Sequence, residues 1–269
     1  MTITDLAEAS PGPADGPPPA LATRGIGVRF AGTVALRDVS IEARSGQVLG
    51  LIGPNGAGKT TLFDAISGIR RPDAGTIEFE GEDVTGRSAV WRARAGLRRT
   101  FQRQQVFGRL TVEENLLCAT EWHGGGGGIL ADLVASPTRR RLERRRRAQV
   151  AEVLESCGLT DVRHTLAGSL PIGTARMVEL GRALAESPRI LLLDEPTSGL
   201  GEAEVARLSA AIRRLNAARR CAVVLVEHDI TFVMEHSDRV VVLQRGEVLA
   251  EGGTADIQAN PQVREAYLG

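Results

Sequence analysis

The chain has 269 residues, 42% of them hydrophobic and 25% charged, too long for a minimal domain and short for two complete ones. That profile fits one medium α/β domain with a smaller inserted lobe. The 33 basic residues balance 33 acidic ones, so bulk charge gives no case for a nucleic-acid binder.

Apolar runs are short, as at residues 222–226, and none approaches the roughly 18 residues a membrane-spanning helix requires. Asp5 and Glu8 lie near the N-terminus and no basic residue precedes Arg24, so a secretory leader is not expected and the chain should stay in the cytosol. Cys118, Cys157 and Cys221 are widely spaced, odd in number and without a CxxC pair, and read as buried free thiols. Lys59 is the sole lysine. Where arginine replaces lysine everywhere else, the position that keeps lysine needs a compact ammonium.

Residues 1–22 are rich in Pro, Gly and Ala, including Pro17-Pro18-Pro19, and are expected to form a disordered tail before a domain at 23–269. Residues 28–43 read as two short strands around an Ala31-Gly32 turn. Residues 47–52 form a nearly continuous apolar run ending in a Gly-rich turn, the pattern of a buried parallel strand, and residues 60–68 follow as a helix. From 110 to 184 the periodicity is helical, which predicts an inserted helical subdomain over about 103–185. Within it, the pentaglycine at 124–128 reads as a flexible loop. The run RRRLERRRR at 139–147 reads as the start of a solvated helix reaching residue 157, with contact to anionic headgroups or a partner as the alternative. Strand-like runs return at 190–193 and 221–226, separated by a helix at 202–218. That alternation predicts an α/β fold with a parallel sheet.

Gly53-Pro54-Asn55-Gly56-Ala57-Gly58-Lys59-Thr60, continued by Thr61, matches G-x-x-x-x-G-K-[ST] between a strand and a helix. The glycines let backbone N–H groups converge on phosphate oxygens, and the helix N-terminus adds its positive dipole end. Lys59 is expected to reach the β- and γ-phosphates, and the Thr60 hydroxyl to ligate magnesium. Guanine-specific enzymes use an Asn-Lys-x-Asp loop, which a chain with Lys59 as its only lysine cannot contain. At the end of the apolar run 190–193 stand Asp194 and Glu195. Burying unpaired carboxylates is costly, so a functional pair is expected: Asp194 holding magnesium through water, Glu195 polarising the attacking water.

From residue 22 onward the chain resembles the ABC ATPases, whose motifs appear here in the family's order. The resemblance implies a RecA-like P-loop NTPase core with an antiparallel β subdomain and an inserted helical subdomain. It implies that Phe30 stacks on adenine, that Gln102 in Thr100-Phe101-Gln102 touches magnesium, and that His228 contacts the γ-phosphate. ATP and Mg2+ are the implied cofactors. The stretch from Phe101 to Leu117, the Gly- and Arg-rich insertion, Val226-Glu227-His228-Asp229 and the ending Arg264-Glu265-Ala266-Tyr267-Leu268-Gly269 are similar to the ATP-binding subunits of branched-chain amino acid importers and their urea and amide relatives. That group implies a second, different ATP-binding subunit, two membrane permeases and an extracytoplasmic binding protein as partners. It also implies a peripheral place on the cytoplasmic face of the membrane, and no nucleic acid. A soluble ABC ATPase not tied to transport, or a weakly hydrolysing subunit with a structural role, are the rival readings.

The chain departs from the family pattern in two places. The signature that caps the partner's nucleotide is usually Leu-Ser-Gly-Gly-Gln, and here it reads Leu170-Pro171-Ile172-Gly173-Thr174. Pro171 removes a hydroxyl and a backbone donor, although proline suits a first helical turn. After Ser198-Gly199-Leu200, where Asp or Asn is usual, stands Gly201. Both losses fall on surfaces offered to a partner, whereas Lys59, Gln102, Asp194, Glu195 and His228 serve the chain's own nucleotide. The contrast points to pairing with a different ATPase subunit.

Overall fold

The computed structural model describes residues 17–100, 105–120, 137–217 and 220–268. The greater part of the expected tail, the pentaglycine loop and Gln102 lie outside the described residues.

One sheet is antiparallel, built from β1 (Leu21–Phe30), β2 (Thr33–Ala43), β4 (Ala74–Phe79) and β5 (Glu82–Asp83) in the order β2-β1-β4-β5. Its first hairpin turns at Ala31 and Gly32, both at positive φ. The two strands are longer than the sequence suggested, because bulges between Thr23 and Arg29 interrupt the alternation that marks a strand. β1 begins inside the segment expected to be a tail ending at 22, and Leu21 and Ala22 are fully buried. The proline-rich stretch before them masked this start.

The second sheet has six strands in the order β10-β9-β3-β8-β7-β6. It comprises β3 (Val48–Ile52), β6 (Leu97–Arg99), β7 (Ile190–Asp194), β8 (Ala222–Val226), β9 (Arg239–Gln244) and β10 (Glu247–Gly252). β9-β3-β8-β7-β6 are parallel, and β10 pairs antiparallel with β9. Every residue of β3, β7 and β8 is buried, which is why these strands read as unbroken apolar runs. Alternate residues serve two cores. Leu49, Leu51, Leu192 and Val224 join the cluster under the antiparallel sheet and α1 (Lys59–Ser67). Ile52, Leu191, Leu193 and Val223 join a second cluster shared with the helical lobe.

That lobe contains α3 (Val112–Thr120), α4 (Pro137–Ser156) and α5 (Ile172–Ala185), meeting at Leu116, Val150, Leu154, Met177 and Leu180. Only the second half of α4 is anchored there; Arg140, Arg141, Arg144 and Arg145 are exposed. The remaining helices are α2 (Ala89–Arg94), α6 (Glu202–Ala217), α7 (Ile230–His236), α8 (Thr254–Ala259) and α9 (Pro261–Leu268). Among the described residues no helix is long and apolar enough to cross a membrane.

Cys157 and Cys221 are buried free thiols, but Cys118 is exposed. The inward stripe of α3 is Val112, Asn115, Leu116 and Thr120, and Cys118 falls off it.

Candidate functional site

β3 delivers the chain into the loop 53–58, and α1 starts immediately after it. Neighbouring backbone fixes which residues the loop can use. At Gly58, whose φ is 107°, a Cβ would stand 2.9 Å from the Ala35 carbonyl oxygen; at Gly53 it would stand 2.2 Å from that of Leu243. Neither space admits a side chain. Gly58 is also the N-cap of α1 and supplies no side-chain acceptor, so the first N–H groups of the helix lack a side-chain cap. They border a cleft of about 240 Å³ formed by residues 55–61 with Ala35, Glu195 and His228. Uncapped N–H groups and the positive end of a helix make an anion site.

Lys59 is buried, and its Nζ donates to the carbonyl oxygens of Gly53 at 2.6 Å and Pro54 at 3.1 Å. Burial lowers its pKa, an effect that the charges of Glu195 and Asp194 oppose. The ammonium thus sits folded over its own loop, facing two carboxylates. Thr60 is exposed on the same cleft.

Asp194 ends β7 and is 2% exposed. Its Oδ2 accepts from Arg99 Nη2 at 3.0 Å, while Oδ1 is buried without a hydrogen-bond partner among the described residues. Burial raises its pKa, and the Arg99 hydrogen bond and charge pull it back down. Glu195 adopts φ 49°, a left-handed conformation that costs an L residue about 1–3 kcal/mol. Its N–H donates to the Val226 carbonyl at 2.8 Å and its own carbonyl accepts from the Ser198 N–H at 3.2 Å, which hold the turn. The turn aims the Glu195 carboxylate at His228, whose Nε2 lies 2.9 Å from Oε1. Behind them Glu227, 5% exposed, accepts the N–H of Thr197 at 2.6 Å and of His228 at 3.2 Å, tying the loop after β7 to the loop after β8.

The donor set suits magnesium. A buried carboxylate oxygen without a partner among the described residues and an exposed hydroxyl beside an anion cradle are what a cation shared with phosphates requires. Among the described residues no three His, Cys, Asp or Glu side chains gather into a self-sufficient metal cage.

The remaining expected residues stand elsewhere. Phe30 is half-exposed at the end of β1, does not line the cleft, and carries the Arg70 guanidinium 3.8 Å above its ring centroid. Leu170 to Thr174 lead into α5, with Pro171 at the N-cap and Ile172 65% exposed; none lines the chain's own cleft. The side chain of Glu204 lies between the altered Gly201 and Gly173, the glycine that the signature keeps. Its Oε2 accepts the Gly201 N–H at 3.1 Å, and a Cβ on Gly173 would meet its Cδ at 3.1 Å. A larger cleft, about 530 Å³, lies against the lobe between Arg98, Phe107, Arg182 and Glu186, and shares no lining residue with the anion cradle. Arg99, Glu227 and Glu204 are the polar groups that sequence reasoning missed. Glu227 alone carried a signal, a carboxylate directly after the apolar run 221–226.

A glycine-built anion cradle at the mouth of a parallel strand, faced by a strand-end Asp-Glu pair, defines a P-loop nucleoside triphosphatase. The sequence matches the ABC transporter family over residues 36–198, and residues 247–269 match the branched-chain amino acid ATP-binding cassette transporter family. It is 40% identical over 93% of this chain and 98% of the relative to the high-affinity branched-chain amino acid transport ATP-binding protein BraF of Pseudomonas aeruginosa. The corresponding protein LivG of Escherichia coli K12 is 37% identical with the same coverage. Among solved structures, the ADP conformation of an ATP-binding cassette of an ABC transporter superposes with a TM-score of 0.78 at 29% identity, covering 93% of this chain and 98% of that one. The chain belongs to the ABC transporter family and is an ATPase of that class.

Proposed function

We propose that the chain is an ATP-hydrolysing subunit of an importer for branched-chain amino acids or similar small polar solutes. The observation that carries the solute class is the joint match of the body and the last 23 residues to branched-chain amino acid ATP-binding cassettes, 247 through 269 for the tail. Glu195 orients and polarises the attacking water, with His228 steadying its carboxylate and reaching the terminal phosphate. Lys59 leaves its two loop carbonyls for phosphate oxygens, and the α1 N–H groups take the rest of the charge. Thr60 and Asp194 would hold magnesium, with Gln102 as the further ligand that family likeness supplies, and the ion held there would neutralise charge on the phosphates.

The assembly we infer has a second, different ATP-binding subunit and two permeases on the cytoplasmic face of the membrane, served by an extracytoplasmic binding protein. Support for two unlike ATPase subunits comes from the side of the chain that carries Pro171, Thr174 and Gly201. There a side-chain hydroxyl, an amide and a carboxamide or carboxylate are missing, while the chain's own cleft keeps its full set. The test is uptake of radiolabelled leucine, isoleucine and valine in cells deleted for this gene, complemented by the parent or by Lys59→Ala. Parent-dependent uptake lost in the variant supports the proposal; uptake of all three indifferent to the gene refutes the solute assignment and leaves the ATPase intact.

A further inference from the structure

Arg99 sits at the end of β6, an edge strand of three residues, with its side chain 6% exposed. Both terminal nitrogens of its guanidinium are engaged, across two elements. Nη2 donates to Asp194 Oδ2 at 3.0 Å at the end of β7, and Nη1 donates to Asp64 Oδ1 at 2.6 Å and Ser67 Oγ at 3.2 Å on α1. The guanidinium also stands 5.5 Å from the Phe63 ring centroid, again on α1. Next along the chain, Thr100 Oγ1 accepts the Asp194 N–H at 3.2 Å, so consecutive residues grip both the side chain and the backbone of Asp194. The two sides of the phosphate cleft, the helix that ends the P-loop and the strand that ends in Asp194, therefore meet through one buried cation.

The consequence lies in which carboxylate oxygen is left over. With Oδ2 bonded to Arg99, turning the Asp194 carboxylate about its last bond would break that hydrogen bond, and Oδ1 remains without a partner among the described residues. Because every cation in this chain except Lys59 is arginine, residue type alone says nothing here. The geometry does: a planar fork bridges two carboxylates on separate elements, and a point ammonium does not.

We propose that Arg99 is a positioning residue for the metal site: it holds Asp194 Oδ2 and braces it to Asp64 of α1, so that Oδ1 is presented to a divalent cation bound with the nucleotide. This rests on the ATPase reading of the P-loop cleft and goes beyond it. Partners that orient a metal-ligating carboxylate typically change metal affinity by about 10–100-fold when removed.

The test is Mn2+ binding to the ADP-loaded, full-length protein, followed by electron paramagnetic resonance, beside ADP affinity measured in EDTA. Arg99→Met and Arg99→Lys should each weaken Mn2+ binding by about 10–100-fold while leaving ADP affinity in EDTA unchanged. Asp64→Asn removes the charge of the brace but not the fork, and should weaken Mn2+ binding less, in the same direction. If Arg99→Met does not fold, the Arg99→Lys and Asp64→Asn measurements decide alone. Mn2+ affinity equal to the parent's in the folded variants overturns the proposal, as does an increase, the result if Arg99 merely repels the cation. An equal loss of ADP affinity in EDTA also overturns it, since a purely structural role would move both. In either case parent protein that binds ADP and Mn2+ leaves the ATPase reading standing.

Discussion

Replacing Lys59 by Met separates what the lysine does for the fold from what it does for nucleotide. In the structure its ammonium makes two hydrogen bonds, to Gly53 and Pro54. Those bonds favour the folded loop, while burial of the charge, the main cause of its lowered pKa, opposes it. The two effects offset, so the melting temperature should move by no more than about 4 °C, roughly 1 kcal/mol in a chain of this size. Nucleotide binding is different, because phosphate oxygens lose a charge-assisted donor in a cleft whose lining holds no other lysine or arginine. At about 1.5–3 kcal/mol per such bond, affinity for ATP should fall roughly 10–150-fold. Titration with a fluorescent ATP analogue, beside a thermal melt of the same preparation, reads both numbers. Since Lys59 is the only lysine, an amine-directed label should mark only Lys59 and the N-terminus in the parent, and ATP should protect Lys59. Affinity unchanged in Lys59→Met, with Lys59 labelled equally with and without ATP, would refute the placement of phosphate in this cleft.

Three further outcomes are expected. Arg92 is 1% exposed and donates to the carbonyls of Ala65, Ile66, Val84 and Thr85, so Arg92→Met removes a charged donor from four carbonyls, of which those of Ala65 and Val84 keep the N–H groups of Gly68 and Arg87; it should cost about 3–5 kcal/mol, roughly 6–20 °C on melting, read by calorimetry. Burial pushes the thiols of Cys157 and Cys221 up to about 11 and about 12, which keeps them protonated at pH 8, so iodoacetamide should alkylate Cys118 alone in the native protein and all three after denaturation, as mass spectrometry will show. The isolated chain should hydrolyse ATP slowly, accelerate with a second ATPase subunit and its permeases, and recover part of that rate alone in the double variant Pro171→Ser with Thr174→Gln; fast, cooperative turnover by the chain alone would count against a mixed dimer.

What the sequence displayed and what it hid follow from chain distance. The P-loop and Asp194-Glu195 were legible because their chemistry is written in consecutive residues attached to buried strands, whose short apolar runs admit little else. Arg99 was not, because its partners lie 35 and 95 residues away and its neighbours Arg98 and Leu97 give no hint of which cation turns inward. Only the strand's alternation decides it: Arg98 turns the other way, to Glu186. The left-handed turn at Glu195 was equally invisible, since it is imposed by Val226 on the next strand rather than by a glycine. The start of β1 at Leu21 failed for a related reason: Leu21 and Ala22 gain their burial from β2 and β4, to which they pair, and not from anything adjacent in sequence.

The central claim, that Glu195 in this cleft carries ATP hydrolysis, is tested most directly by the turnover of Glu195→Gln in the assembled transporter at saturating Mg-ATP. The amide keeps the shape of the side chain and its approach to His228, 2.9 Å away in the parent, but cannot polarise water as a carboxylate does. Losing a positioned base typically lowers the rate about 10²–10⁴-fold, and ATP affinity should hold, because the residue acts on water and not on phosphate. Turnover at the parent rate, with ATP bound as tightly as before, would contradict the account.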